Sequence, residues 1–424
     1  MSSLFCPDKL PTRVIDVIDV SISRLSYDIL PRKPTLFVDN FNEDISCWDV
    51  SNVKTMEKMF HSANTFNQPI GGWNVSNVQN MVYLFAFASS FNQDIGSWDV
   101  SNVENMGYMF FGASSFDQTI GGWDISNVEH MQGMLWDAIA FNQDIGGWDV
   151  SNVQTMDDLF HVATSFNQSI EGWDVSKVQS MPRMFCGATS FNHPIGRWDV
   201  SNVKNTHGMF GYAIAFNQSI GGWDVSNVQD MGIMFFGATA FNQDIGGWNV
   251  SNVQIMNLMF ASADSFNHSI GRWEVSNVKD MAGMFFGASA FNQPIGGWDV
   301  SNVQDMGIMF WLATAFNQPI GSWDVSNVQS MSRMFNSATS FNQDVGSWAV
   351  SKVASMGDMF NNATSFNRNL CPWFNIVGLP VSGVLARAHV VRGMFESSGC
   401  DVKSDPNLTE QASFCQHCNI PNPL

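Results

Sequence analysis

The sequence predicts an α/β solenoid: a right-handed superhelix of thirteen regular 25-residue coils, each with one short strand and one short helix, closed by terminal caps. Three observations predict it. Fourteen of the 16 tryptophans, from Trp48 through Trp73 and Trp98 to Trp373, stand 25 residues apart, and only Trp136 and Trp311 fall outside that register. From Phe41 to Ser365 the unit F-N-x-x-I-G-x-W-D-V-S-N-V-x-x-M-x-x-M-F-x-x-A-x-x runs thirteen times without an insertion. Within each unit the apolar spacing changes from two residues to three and four. A fixed period of this length means that each unit buries its apolar face only by stacking on its neighbours.

The elements follow in order along one unit. Ile45, Trp48 and Val50, with Asp49 between them, read as a short strand whose Trp and Val point inward. Val53, Met56, Met59, Phe60 and Ala63 follow at steps of three and four, the stripe of a short helix. Ser at the junction is followed three residues later by Glu or Gln in nine of thirteen units, as in Ser101 with Glu104 and Ser151 with Gln154, which reads as a capping box at the helix start. Gly71, Gly96 and Gly121 mark a tight turn before each Trp. Asn recurs at the position of Asn42 in twelve of thirteen units, with Asp117 the exception, as expected of an amide ladder that satisfies backbone groups at a turn. The Met and Phe columns are core. Residues 1–40 lack the repeat and form an N-terminal cap or irregular segment, in which Val14 to Tyr27 is apolar enough to cover the first coil. Residues 41–365 are the repeats, 366–400 a capping coil, and 401–424 an irregular tail with Pro406, Pro421 and Pro423.

Composition narrows the function. A chain of 424 residues with 45% apolar and 13% charged residues can bury a large core. Its 19 Lys plus Arg against 38 Asp plus Glu give a net charge of -19, which argues against nucleic acid or an anionic membrane surface and favours cations or basic protein surfaces. No run approaches the roughly 18 to 20 apolar residues of a membrane span. The start MSSLFCPDKLPTR shows no basic region followed by an apolar run, which leaves either an intracellular protein or a chain whose natural start lies elsewhere. Four of the seven cysteines, Cys371, Cys400, Cys415 and Cys418, lie in the last 54 residues and point to a stapled C-terminal cap.

The unit FNQDIGGWDVSNVQTMDDLF closely resembles the 25-residue repeat of the BspA-like leucine-rich-repeat surface proteins, over about positions 41 to 400. The resemblance implies an extracellular or cell-surface, non-enzymatic solenoid linked to adhesion or recognition. It also implies that Asn369-Leu370-Cys371-Pro372-Trp373 and the segment from Gly393 to Cys400 form a closing coil with a Cys371–Cys400 pair, here about ten residues longer than a regular unit.

Two columns are candidate ligand-binding surfaces. Asp49, Asp99, Asp124, Asp149, Asp174, Asp199, Asp224, Glu274, Asp299 and Asp324 share one phase, where carboxylates about 5 Å apart repel by something near 1 kcal/mol per pair in water. Either each accepts a backbone hydrogen bond in an Asx motif, the favoured reading, or the column binds calcium or meets a basic partner. The phase after Met-Phe varies and includes Phe111, Trp136, Phe236, Phe286 and Trp311. These are either an exposed partner patch on the helix side or rings half-covered by the next coil. Catalytic patterns are lacking: the eight His are scattered, with no Ser-His-Asp order, no H-E-x-x-H and no phosphate-cradling glycine loop. Cys415-Gln416-His417-Cys418 reads as a local disulfide or tail staple rather than a zinc site. No cofactor or resident metal is expected. The sequence thus favours a non-enzymatic scaffold for protein or glycan recognition over a carbohydrate-active solenoid enzyme or a mechanical spacer.

Overall fold

The computed structural model describes residues 41–373, 391–406 and 415–416, in two compact units, Met1–Gln218 and Ser219–Leu424. The expected N-terminal cap, the middle of the closing coil, Cys418 and most of the tail lie outside the described residues. Within each unit 25-residue coils stack on one another, so each is a repeat solenoid. What builds the coil is a series of tight turns.

In the first unit the coil from Ile70 to Phe91 shows the rule. The N–H of Trp73 donates to the Ile70 carbonyl, Val78 to Val75, Leu84 to Met81, Ala88 to Phe85 and Phe91 to Ala88, all at 2.8–3.1 Å. Each turn has an apolar residue at its first and fourth positions, all buried, and two more exposed residues between them, except that Ala86 is buried as well. Hydrophobic-x-x-hydrophobic, repeated five times, closes a coil around its own core.

This overturns the helix expected over Val53 to Ala63. Tyr83 and Phe87 have φ of 56° and 61°, and Leu258 and Ser262 both have 53°. A left-handed residue at the third position of M-x-x-M and again of F-x-x-A gives the φ pattern of a type II turn and cannot continue a right-handed helix. Alternate N–H groups then leave the coil. Met81, Tyr83 and Phe85 donate to the carbonyls of Asn105, Gly107 and Met109 in the next coil at 3.0, 3.0 and 2.8 Å, while Leu84, Ala86 and Ala88 close turns. The second unit repeats the scheme with Met256, Leu258 and Phe260 on Asp280, Ala282 and Met284. A helix would satisfy the same groups internally and leave its neighbours unlinked.

The strand expected over Ile45 to Val50 is also absent. Parallel pairing is confined to one residue per coil, further along: Thr55, Asn80 and so on to Asn205 in the first unit, and Asp230 to Ser355 in the second. The inward Trp and Val come instead from the ends of successive turns. Nor is there a capping box, because no helix begins there. The Gln79 N–H donates to the Lys54 carbonyl of the preceding coil, and the Glu and Gln side chains of this phase are exposed. Among the described residues the only helical turn is 371–373.

Side chains lock the stack where backbone bonds stop. The core Trp side chains donate their indole N–H to a carbonyl of the preceding coil, as Trp98 does to Ile70 and Trp373 to Val345, both at 3.1 Å, and the Ile70 carbonyl also accepts the Trp73 N–H of its own turn. Asn67 Oδ1 accepts the Asn92 N–H at 2.9 Å, and where Asp117 replaces Asn the carboxylate accepts from Asn142 at 2.9 Å, so the ladder continues. At the C-terminal end Cys400 pairs with Cys415, with Cα atoms 4.7 Å apart, beside a Val402 N–H to Cys415 carbonyl bond that returns the tail to the last coil. This corrects the Cys371–Cys400 pair and the local Cys415–Cys418 loop. Cys371 is disulfide-bonded, but not to Cys400.

The glycines before Trp serve close approach. A Cβ on Gly146 would stand 2.5 Å from the Ser169 carbonyl oxygen of the next coil, whereas one on Gly147 would meet nothing within 4 Å. Gly146→Ala should therefore cost about 1–3 kcal/mol, and Gly147→Ala should stay within about 0.5 kcal/mol of the parent. Denaturant titration of the two variants checks this, and equal shifts would contradict the stacking register.

Candidate functional site

The carboxylate column is built by the D-V-S turn. In the first unit the Oδ1 atoms of Asp99, Asp124, Asp149, Asp174 and Asp199 accept the backbone N–H of the Ser two residues on, at 3.0–3.1 Å. In the second unit Asp224, Asp299 and Asp324 do the same at 3.0–3.1 Å. Asn74 and Asn249 keep the bond at 3.2 and 3.1 Å, and Ala349 dispenses with it, so the phase favours an acceptor and does not require a charge. The Ser hydroxyl first, then the Ser N–H, hold the carboxyls of Asp99, Asp124, Asp149, Asp174, Asp224 and Asp324 below the ordinary range. All these carboxylates are exposed. Among the described residues no group of three or more His, Cys, Asp or Glu is arranged to hold a metal ion.

The variable aromatic column lies at the outward tips of the M-x-x-M and F-x-x-A turns. Of the two arrangements open to them, exposed patch or rings covered by the next coil, Phe111, Phe236 and Phe286 are buried. Adjacent coils bring rings of this phase into contact: Phe111 lies 4.4 Å from Trp136, Trp136 4.8 Å from His161, and Phe286 4.9 Å from Trp311. Trp136 and Trp311 remain half-buried. Beside them Tyr83 stacks on Tyr108 at 4.7 Å, and Gly133 has no side chain to obstruct the Tyr108 ring that lies against it. In the second unit Leu312, next to Trp311, is 39% exposed, and the Arg333 guanidinium sits 5.6 Å from the Trp311 ring.

Charged groups absent from the sequence-derived candidates gather on the same face of the first unit. Buried Asp158 receives Arg183 Nε on Oδ1 at 2.7 Å and Nη2 on Oδ2 at 2.8 Å, and His161 Nδ1 lies 2.8 Å from Oδ1. Burial would raise this carboxyl, but the hydrogen bonds and charges of His161 and Arg183 outweigh it and hold it at about 2. Asp137 and Asp157 fare differently. Each has a buried Oδ1 with no hydrogen-bond partner, and burial pushes Asp157 up and Asp137 up to about 6. The sequence held one clue to this cluster: Asp158 and Arg183 are 25 residues apart, hence side by side once the period is known.

Both oxygens of Asp158 are committed to Arg183, and the cluster contains no nucleophile paired with a base. Its titration has opposite signs at two positions. The stability that Asp158 contributes is present above its unfolded value near 3.8 and is lost as pH falls through about 2. The stability associated with protonated Asp137 is present below 3.8 and lost as pH rises through about 6. Asp137→Asn should therefore stabilise the protein at pH 7.5 by roughly 1–2 kcal/mol, allowing for solvent screening, and change little at pH 4. Melting curves at the two pH values test this, and an equal shift at both would refute the burial account.

The repeats match one family model in four overlapping stretches, residues 35–145, 114–220, 193–295 and 286–377; its description is "Mycoplasma protein of unknown function, DUF285". No curated protein matches the chain. Among solved structures, the crystal structure of a TLR13-ssRNA13 complex aligns at 7% identity and a TM-score of 0.23, over 74% of this chain and 60% of that one. A likeness that slight carries no argument about ligand or mechanism. The matched stretches together run from 35 to 377, and the chain belongs to the DUF285 family of repeat proteins.

Proposed function

We propose that the protein is a non-enzymatic recognition scaffold, displayed on a cell surface or secreted, whose contact surface is the column of turn tips at M-x-x-M and F-x-x-A. The observation that carries this reading is where the repeat varies. The tips of V-S-N-V are Ser-Asn in eleven of thirteen units, whereas the M-x-x-M tips change from Gly107-Tyr108 to Gln132-Gly133, Asp157-Asp158 and Pro182-Arg183. The packing repeated in every coil does not fix their identity, and those that stay half-buried, such as Tyr108 and Gln132, can specify a ligand. Trp136 and Arg183 in one unit, and Trp311, Leu312 and Arg333 in the other, are mostly of the residue types that dominate binding energy at interfaces. The resemblance to BspA-like surface repeats supports exposure to partners outside the cell, and the net charge of -19 favours a partner with a basic surface.

A mechanical spacer is the second reading, favoured by the burial of Phe111, Phe236 and Phe286. Protein and glycan arrays probed with the purified chain, with and without calcium, separate the two. Binding should be insensitive to calcium and fall about tenfold or more in Trp136→Ser or in Trp311→Ser with Leu312→Ser, at unchanged melting temperature. Absence of any ligand would favour the spacer. Binding that survives the tip substitutions but disappears on replacing Asp149, Asp174 and Asp199 by Asn would move the site to the carboxylate column.

A further inference from the structure

The outward side of the V-S-N-V turns carries a second ladder, and in the first unit it breaks. Asn127, Asn152 and Asn202 each donate Nδ2 to the Ser carbonyl of the preceding coil at 2.7 Å. Lys177 stands where the next Asn of this series belongs. Its Nζ turns instead to Asn152 Oδ1 at 2.7 Å, so no side-chain amide reaches across to the Ser151 carbonyl. Two residues further along each coil a second series breaks nearby: Gln154 and Gln179 are followed by Lys204.

Both lysines line one open groove of about 450 Å³. Its walls include Gln179, Asn202 and Ser176, with no aromatic face. Asn202 Nδ2 serves the Ser176 carbonyl and leaves its Oδ1 as an acceptor, and the Gln179 amide adds a donor and an acceptor, the complement of sugar hydroxyls, with nothing for a planar ring to stack on. The two ammonium groups are local exceptions in a chain of net charge -19. Lys177 also helps to hold the Asp174 carboxyl low, behind the hydrogen bonds of Ser176, so its charge is shared and Lys204 supplies the rest. At the far side Glu129 accepts Gln154 Nε2 at 3.2 Å and places a carboxylate that repels a second anionic group.

We propose that this groove binds a short oligosaccharide bearing a single carboxylate. The carboxylate lies between Lys177 and Lys204, and the neutral sugar hydroxyls lie on Gln179, Asn202 and Ser176. No bond is made or broken. The site is on a different part of the coil from the turn tips and stands or falls apart from them.

The repeat supplies its own controls. Lys177→Asn and Lys204→Gln install residues that the same phases carry in neighbouring coils, so both variants should fold with unchanged melting temperature. Isothermal titration of the full chain uses an aldotriouronic acid (one glucuronate on two xylose units), with xylotriose as the neutral arm and glutarate as the carboxylate-only arm. The expected result is saturable binding of the aldotriouronic acid, weakened about tenfold or more by either substitution and untouched by Trp136→Ser, with xylotriose and glutarate both much weaker. No saturable binding at millimolar ligand, equal binding by the lysine variants, or glutarate binding as tightly as the sugar would each overturn the proposal.

Discussion

The architecture depends on how backbone N–H groups are divided between a coil and its neighbour. In the segment from Met56 to Ala63 alternate groups close a turn or cross to the following coil, and neither set is complete without the other. The division requires left-handed backbone twice per coil, and the chain accepts it even at residues that disfavour it, such as Val162 at 57° and Ile233 at 47°. Insertion of a single residue would exchange the two sets and turn the buried Met and Phe outward. That explains why the repeat tolerates wide substitution at its tips and no change in length.

The stacking and the identity of the core were legible in the sequence, because a 25-residue period with recurring Trp, Phe and Met leaves little else to conclude. The local conformation was not. Apolar residues at i, i+3, i+4 and i+7 describe a helical stripe, and they equally describe two abutting four-residue turns whose first and last members face inward. Periodicity cannot separate these, and the deciding signal lay elsewhere. Gly at the third turn position, as at Gly133, Gly208 and Gly283, marked a phase needing positive φ, a strange choice for a helix interior.

The candidate surfaces were read unevenly for a related reason. Acceptor roles such as that of Asp149 follow from the local D-V-S motif and needed no tertiary information. The buried charges did need it, because Arg183 reaches the Asp158–His161 pair from the next coil, and Asp137 loses its solvent only when neighbouring coils cover it. Rings such as Phe236 look exposed on a helical wheel but sit over the adjacent coil once the tips are drawn correctly. Residues that depart from the repeat were therefore more informative than those that define it.

The core tryptophans have an optical consequence. Their rings are nearly parallel and regularly spaced within each unit, with centroids 6.3 and 6.4 Å apart from Trp148 through Trp198 and planes within 9°. In the other unit the pairs Trp223–Trp248 and Trp298–Trp323 are spaced at 6.5 and 6.4 Å with planes 2° apart. Chromophores that close and that well aligned share their excitation. Light absorbed at one indole migrates along the column before it is emitted, with little loss of polarisation because the rings are nearly parallel, and the near-ultraviolet dichroism belongs to the array rather than to single residues. A coil that peels from either end shortens the array, and the protein thereby carries an intrinsic optical gauge of how many of its coils remain stacked.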